Sequence, residues 1–189
     1  CINSLQPIRK DFDILISSHV HVPEHIIDKV DYYFYDKDNE LITDWDLMNT
    51  PWFSPNDNLT IVSSLTSNYS TYLAVFKTLI NGMGCAKNLG YKKAFFLNYD
   101  YILKNTNYVD YISSVLNTKK AFFGKYKAHE GDTLYTYFVG IHTDFFLNTI
   151  PQISNVVDYE ILYKLWGSES NGLENMWYHV FEKHKNYNQ

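Results

Sequence analysis

The sequence predicts an α/β protein, a three-layer sandwich around a mostly parallel central sheet. Two short apolar runs, Asp13-Ile14-Leu15-Ile16 and Ala94-Phe95-Phe96-Leu97, have the length and continuity of strands covered on both faces. Each gives way to small polar residues, Ser17-Ser18 in the first case and Asn98 in the second. Between them, Tyr72, Val75, Phe76, Leu79, Ile80 and Met83 recur at helical spacing. Strands interleaved with helices imply helices packed on both faces of a sheet with at least three parallel strands.

The elements follow in order. Cys1-Ile2-Asn3-Ser4-Leu5 reads as the tail of a helix, so the sequence is expected to be a fragment of a longer chain. A strand over 13–16 leads into a Ser/His/Pro loop, where Pro23 opens a short helix over 24–29. Residues 30–35 form a second strand, stopped by Asp36-Lys37-Asp38-Asn39. Residues 44–68, rich in Asn, Asp, Pro and Ser, read as irregular surface with a short strand at Ile61-Val62. A helix starts near Asn68 or Ser70, and Gly82, Gly84 and Gly90 are expected to break or reshape its end. A strand over 93–97 follows, then a helix over 109–116 and strands over 121–123 and 134–139. Helices over 144–149 and 156–165 flank Pro151. The last helix, 172–183, carries the stripe Leu173, Met176, Trp177, Val180 and Phe181.

Composition narrows the function. The 189 residues are enough for a single domain with a sizeable core. Sixteen basic residues against 21 acidic ones give a net charge of −5, with one arginine, Arg9. Nucleic-acid binders cluster Lys and Arg, so no nucleic-acid partner is expected. No run approaches the ~20 apolar residues of a membrane helix, so no transmembrane segment is expected. The two cysteines, Cys1 and Cys85, have no metal-ligand spacing and suit a reducing, cytoplasmic setting. Seventeen tyrosines and twelve phenylalanines suggest sugar-stacking platforms, or more plainly an AT-rich coding bias.

The strongest chemical signal is Phe95-Phe96-Leu97-Asn98-Tyr99-Asp100, a strand delivering a carboxylate at its carboxyl end, where open α/β sheets bind ligands. Asp100 there can hold Mg²⁺ or Mn²⁺ and, through it, a diphosphate; the plain alternative is an Asp that caps a turn. His142, after an aromatic strand, is a second candidate metal ligand. Glu174 falls in the first turn of the last helix and suits a general base. Asn171-x-x-Glu174 reads equally as a capping box. Glu169 and Asp144 are the other candidate bases. Dinucleotide, Walker, HExxH and Gly-x-Ser-x-Gly patterns are absent.

The order of these features resembles the nucleotide-sugar half of GT-A fold glycosyltransferases, especially family 2. Ser4-Leu5 leads to a strand and Ser17-Ser18-His19, Ala86-Lys87-Asn88-Leu89-Gly90 precedes the next, and Asn98-Tyr99-Asp100 ends it where the family has Asp-x-Asp. The resemblance covers roughly residues 1–100. Ser17-Ser18 replaces the family's acidic pair, and Asn98 its first Asp. It implies a single Rossmann-like GT-A domain over 1–189 lacking its first strand, with a nucleotide-binding half at 1–100 and an acceptor-side half at 101–189. It further implies sugar transfer from a nucleotide-diphospho-sugar, such as a UDP-sugar, to a carbohydrate or glycoconjugate acceptor with Mn²⁺ or Mg²⁺. Asp100 and Glu174 would be catalytic. Ser17, Ser18, His19, Lys87, Asn98 and Tyr99 would bind the donor. The rival expectation is a non-catalytic binding or assembly module of the same shape, whose incomplete sheet edge would invite a homodimer.

Overall fold

The computed structural model describes residues 2–37, 69–98, 101–128, 131–134, 138–150, 180–181 and 187–188. It is a mixed α/β structure. Helix α1 (Ile2–Leu5) and a 3₁₀ turn (Gln6–Ile8) precede β1 (Leu15–Ser18), α2 (Glu24–Ile27) and β2 (Tyr32–Tyr35). Then come α3 (Tyr69–Asn88), β3 (Lys93–Leu97), α4 (Asn107–Val115), β4 (Ala121–Phe122), β5 (Lys125–Ala128) and β6 (Gly131–Leu134). β7 (Phe138–His142), α5 (Thr143–Thr149) and β8 (Tyr187–Asn188) complete the described elements.

β1 and β2 pair in parallel from Leu15↔Tyr32 to Ser18↔Tyr35. The crossover through α2 has the length a parallel connection needs. The larger sheet has the order β3-β7-β4-β8. β7 runs antiparallel to both its neighbours, from Lys93↔His142 to Leu97↔Phe138 on one side and at Ala121↔Ile141 on the other. β4 and β8 pair in parallel. The described sheets therefore differ from the expected, mostly parallel one: an antiparallel strand lies beside β3. The expectation used strand length and flanking loops, which do not encode pairing direction. β5 and β6 form a separate hairpin closing at Ala128↔Gly131.

Strand alternation sorts the side chains into two cores. On one face Phe96, Val139, Ile141 and Ala121 meet Phe76 and Met83 of α3, Phe146 of α5 and Phe181. On the other Phe95, Leu97, Phe138 and Phe122 meet Val109, Ile112 and Leu116, with Leu5, Ile8 and Phe12 alongside. Described helices thus pack on both faces of the larger sheet. At Gly140 in β7, a Cβ would lie 2.4 Å from Ile112 Cγ2, so α4 can sit this close only over a glycine.

α3 runs through Gly82 and Gly84 to Asn88 rather than breaking at them. A Cβ at Gly82 would stand 3.0 Å from Ser17 Cβ, so this glycine marks the close approach of α3 to β1. The helix ends at Gly90 (φ 91°), where the Gly90 N–H donates to the Lys87 carbonyl and the Tyr91 N–H to the Ala86 carbonyl, each at 2.9 Å. That is a Schellman termination with glycine at the left-handed position. The expected strand over 134–139 is two elements, β6 ending at Leu134 and β7 beginning at Phe138. Val180 and Phe181, from the expected stripe of the last helix, are helical and buried. The expectations for residues 44–68 and 156–165, and for Leu173, Met176 and Trp177, lie outside the described residues.

Candidate functional site

The geometry is set by which strand ends lie together. The Tyr91 hydroxyl, just before β3, donates to the Asp13 carboxylate, just before β1. That contact pushes the Tyr91 phenol well above its ordinary range. The Phe12 ring meets Phe95 edge-on at 5.5 Å. β1 and β3 therefore begin at the same end of the molecule. At the other end of β1 the Ser17 hydroxyl donates to the Thr78 carbonyl at 2.8 Å, in the middle of α3. Since α3 turns back at Gly90 into β3, Thr78 lies toward the carboxyl end of β3. β1, β2 and β3 thus point the same way, and their carboxyl ends carry Ser17-Ser18-His19, Asp36 and Asn98.

At that end, polar side chains from α3 meet the strand termini. His19 Nδ1 lies 3.4 Å from Thr78 Oγ1, and Asn81 Nδ2 donates to Asp36 Oδ2 at 2.7 Å. Burial pushes the His19 imidazole below its usual pKa, against the opposing pull of the Asp36 carboxylate. The Ser18 hydroxyl donates to the Val20 carbonyl at 2.7 Å and accepts from the Val20 N–H at 3.1 Å. This holds the loop in a tight turn. Asn98 is exposed, and its carbonyl accepts from the Tyr101 N–H at 3.0 Å.

The other described candidates lie at the opposite end. His142 pairs with Lys93, the first residue of β3, roughly 13 Å of strand away from Leu97. Its Nε2 is 2.8 Å from the Leu116 carbonyl. A carbonyl only accepts, so Nε2 carries the proton and Nδ1 alone is left to coordinate anything. Lys87 sits in the last turn of α3 and its Nζ lies 2.7 Å from Asp144 Oδ1 in the first turn of α5. The hydrogen bond from Lys87 pulls the Asp144 carboxyl below its ordinary range. A cation at a helix C-terminus facing an anion at a helix N-terminus is a structural arrangement favoured by both dipoles. The structure thus brings Ser17, Ser18, His19 and Asn98 to one end, and places Lys87, Asp144 and His142 at the other.

Tyr99, Asp100, Glu169 and Glu174 lie outside the described residues. Among the described residues, no group of three His, Cys, Asp or Glu side chains could hold a metal ion. No described helix is long and apolar enough to cross a membrane. Sequence reasoning missed Asp36, Thr78 and Asn81. Asp36 had a readable signal, an acid directly after the apolar Tyr32–Tyr35 strand, of the same kind as Asp100. Thr78 and Asn81 had none, because only the seating of α3 on β1 turns them toward the strand ends. Compared with known proteins, the chain matches no protein-family model and no curated sequence.

Proposed function

We propose that this protein is a GT-A-type glycosyltransferase that moves a sugar from a nucleotide-diphospho-sugar to a carbohydrate or glycoconjugate acceptor. One observation carries the reading: β1, β2 and β3 share a direction and deliver polar residues to a common end, where α/β folds bind nucleotides. His19 and Asp36 face the nucleoside, the carboxylate accepting hydrogen bonds from ribose hydroxyls. Asn98, Tyr99 and Asp100 follow β3, with Asp100 as the anionic ligand of Mn²⁺ or Mg²⁺. Held by Asp100, such a metal would supply positive charge against the departing diphosphate in a chain with a single arginine. If the transfer inverts, Glu174 is the base that takes the proton of the acceptor hydroxyl.

Titration with UDP or GDP and Mn²⁺ tests this. Metal-dependent binding that Asp100→Ala reduces at least tenfold is expected, and no such binding overturns the reading. A second reading, a binding module of the same shape, is favoured by the Ser17 and Ser18 hydroxyls, both already engaged within the protein. Release of free sugar from a nucleotide-sugar without acceptor separates the two, since a module releases none.

A further inference from the structure

Directly beyond Asn98 the chain exposes a set of aromatic rings. Tyr101, Tyr108 and Tyr111 are 43%, 41% and 52% exposed, and Ile102 is 60% exposed. Tyr108 and Tyr111, three apart on α4, lie side by side with centroids 6.5 Å apart and planes 23° from parallel. They are held from beneath. Tyr108 packs on Phe122 at 6.0 Å and on Phe138 at 5.6 Å, while Tyr111 meets Phe122 edge-on at 5.9 Å. Phe122 and Phe138 are themselves buried, so both tyrosine rings are fixed before any ligand arrives. Phe138 pairs with Leu97 at the carboxyl end of β3, so the rings stand at the candidate-site end of the molecule.

We propose that this tyrosine face is a platform for the ring of a neutral carbohydrate. The proposal rests on the transferase reading, of which it would be the acceptor side. Three features select this occupant. Among the described residues the patch comprises a few side chains, far short of the roughly 20–30 residues a side of a stable protein interface, but matched to one or two sugar rings. Its rings are phenols, apolar on the face and polar at the tip, which complement a pyranose with its apolar C–H face and hydroxyl rim. Among the described residues, Lys104 and Asp110, which neighbour these tyrosines in sequence, are exposed and of opposite sign, so neither favours a phosphate or a polyanion.

The test is NMR of the protein carrying ¹³C-labelled tyrosine rings, titrated with neutral tetrasaccharides of glucose, mannose, galactose and N-acetylglucosamine. At least one is expected to shift the Tyr108 and Tyr111 rings saturably. Tyr111→Ala should weaken that binding tenfold or more, as should Tyr111→Leu, while Tyr111→Phe stays within about threefold because it keeps the flat ring. Circular dichroism of each variant checks that this half-exposed position leaves the fold intact. The proposal is overturned if no tetrasaccharide shifts the rings, if Tyr111→Leu binds like the wild type, or if the rings shift only with self-association. Nucleotide titration of the same samples keeps the two readings apart. Saccharide binding without nucleotide binding retains the platform and removes the transferase, and the reverse result removes the platform alone.

Discussion

Asp31 shows how much structure one short polar side chain can organise. Its carboxylate accepts the Ile14 N–H at 2.8 Å and an Arg9 N–H at 2.6 Å, while Arg9 also donates to the Lys29 carbonyl at 3.1 Å. One acid thereby fixes the start of β1, the entry to β2 and the N-terminal segment. The backbone hydrogen bond from Ile14, reinforced by Arg9, pulls the carboxyl below its ordinary 3.8. A depressed carboxylate contributes stability that is complete above its unfolded value and lost as the pH falls through its folded one. Asp31→Asn should therefore cost about 0.5–1 kcal/mol at pH 7. The gap from wild type should stay constant down to about pH 5 and close below about pH 4, read from urea midpoints across that range. A gap that persists unchanged at pH 3 would show the charge to be irrelevant. The same residue logic separates His19 from His142. Burial lowers the pKa of the first, beside Thr78 at a strand end, and a carbonyl occupies Nε2 of the second at the far end of the sheet.

At the scale of an element, α3 organises the described structure. It carries Phe76 and Met83 into the core under the larger sheet and Gly82 against β1. Its two glycines and Gly90, which terminates it, have three different roles, and substitution should separate them. At Gly84 an added Cβ meets nothing within 4 Å, so Gly84→Ala should stabilise by about 0.5–1 kcal/mol through helix propensity. At Gly90 there is also open space, but φ is +91°, and Gly90→Ala should cost about 1–2 kcal/mol through backbone strain. Gly82→Ala should fall between them, its propensity gain offset by the contact with Ser17. Thermal midpoints of the three variants check the order, and a stabilising Gly90→Ala would contradict the termination described. The sequence suggested that Gly82, Gly84 and Gly90 would break or reshape the end of the helix, and of the three Gly90 does so. Glycine is tolerated inside a helix whose opposite face is well packed, and burial of Phe76 and Met83 overrides the local cost.

For the whole molecule, the decisive contact is between the layers. Phe146 is fully buried, edge-on to Phe96 at 5.3 Å and against Phe181 at 6.3 Å, so it joins β3, α5 and the C-terminal helical residues. Phe146→Ala should cost about 3–5 kcal/mol. Because α3 lies over both β1 and the larger sheet, unfolding of this variant should remain one transition, coincident by circular dichroism and aromatic fluorescence. Two separated transitions would show that β1 and β2 melt independently of the β3–β7 ladder.

By itself the amino-acid sequence determined that this is an α/β chain and placed β1, β2, β3, α4 and α5 within a few residues, because burial imposes period 2 or 3.6 on local stretches. It also marked the residues that follow β1 and β3, since polar residues ending an apolar run are a local signal. Only the tertiary structure decided that β7 runs antiparallel beside β3, that Lys87 and His142 sit at the end away from Asn98, and that Asp36 joins His19. Those outcomes depend on which surfaces meet across long sequence separations, and strand direction and helix seating leave no mark on any single stretch of chain.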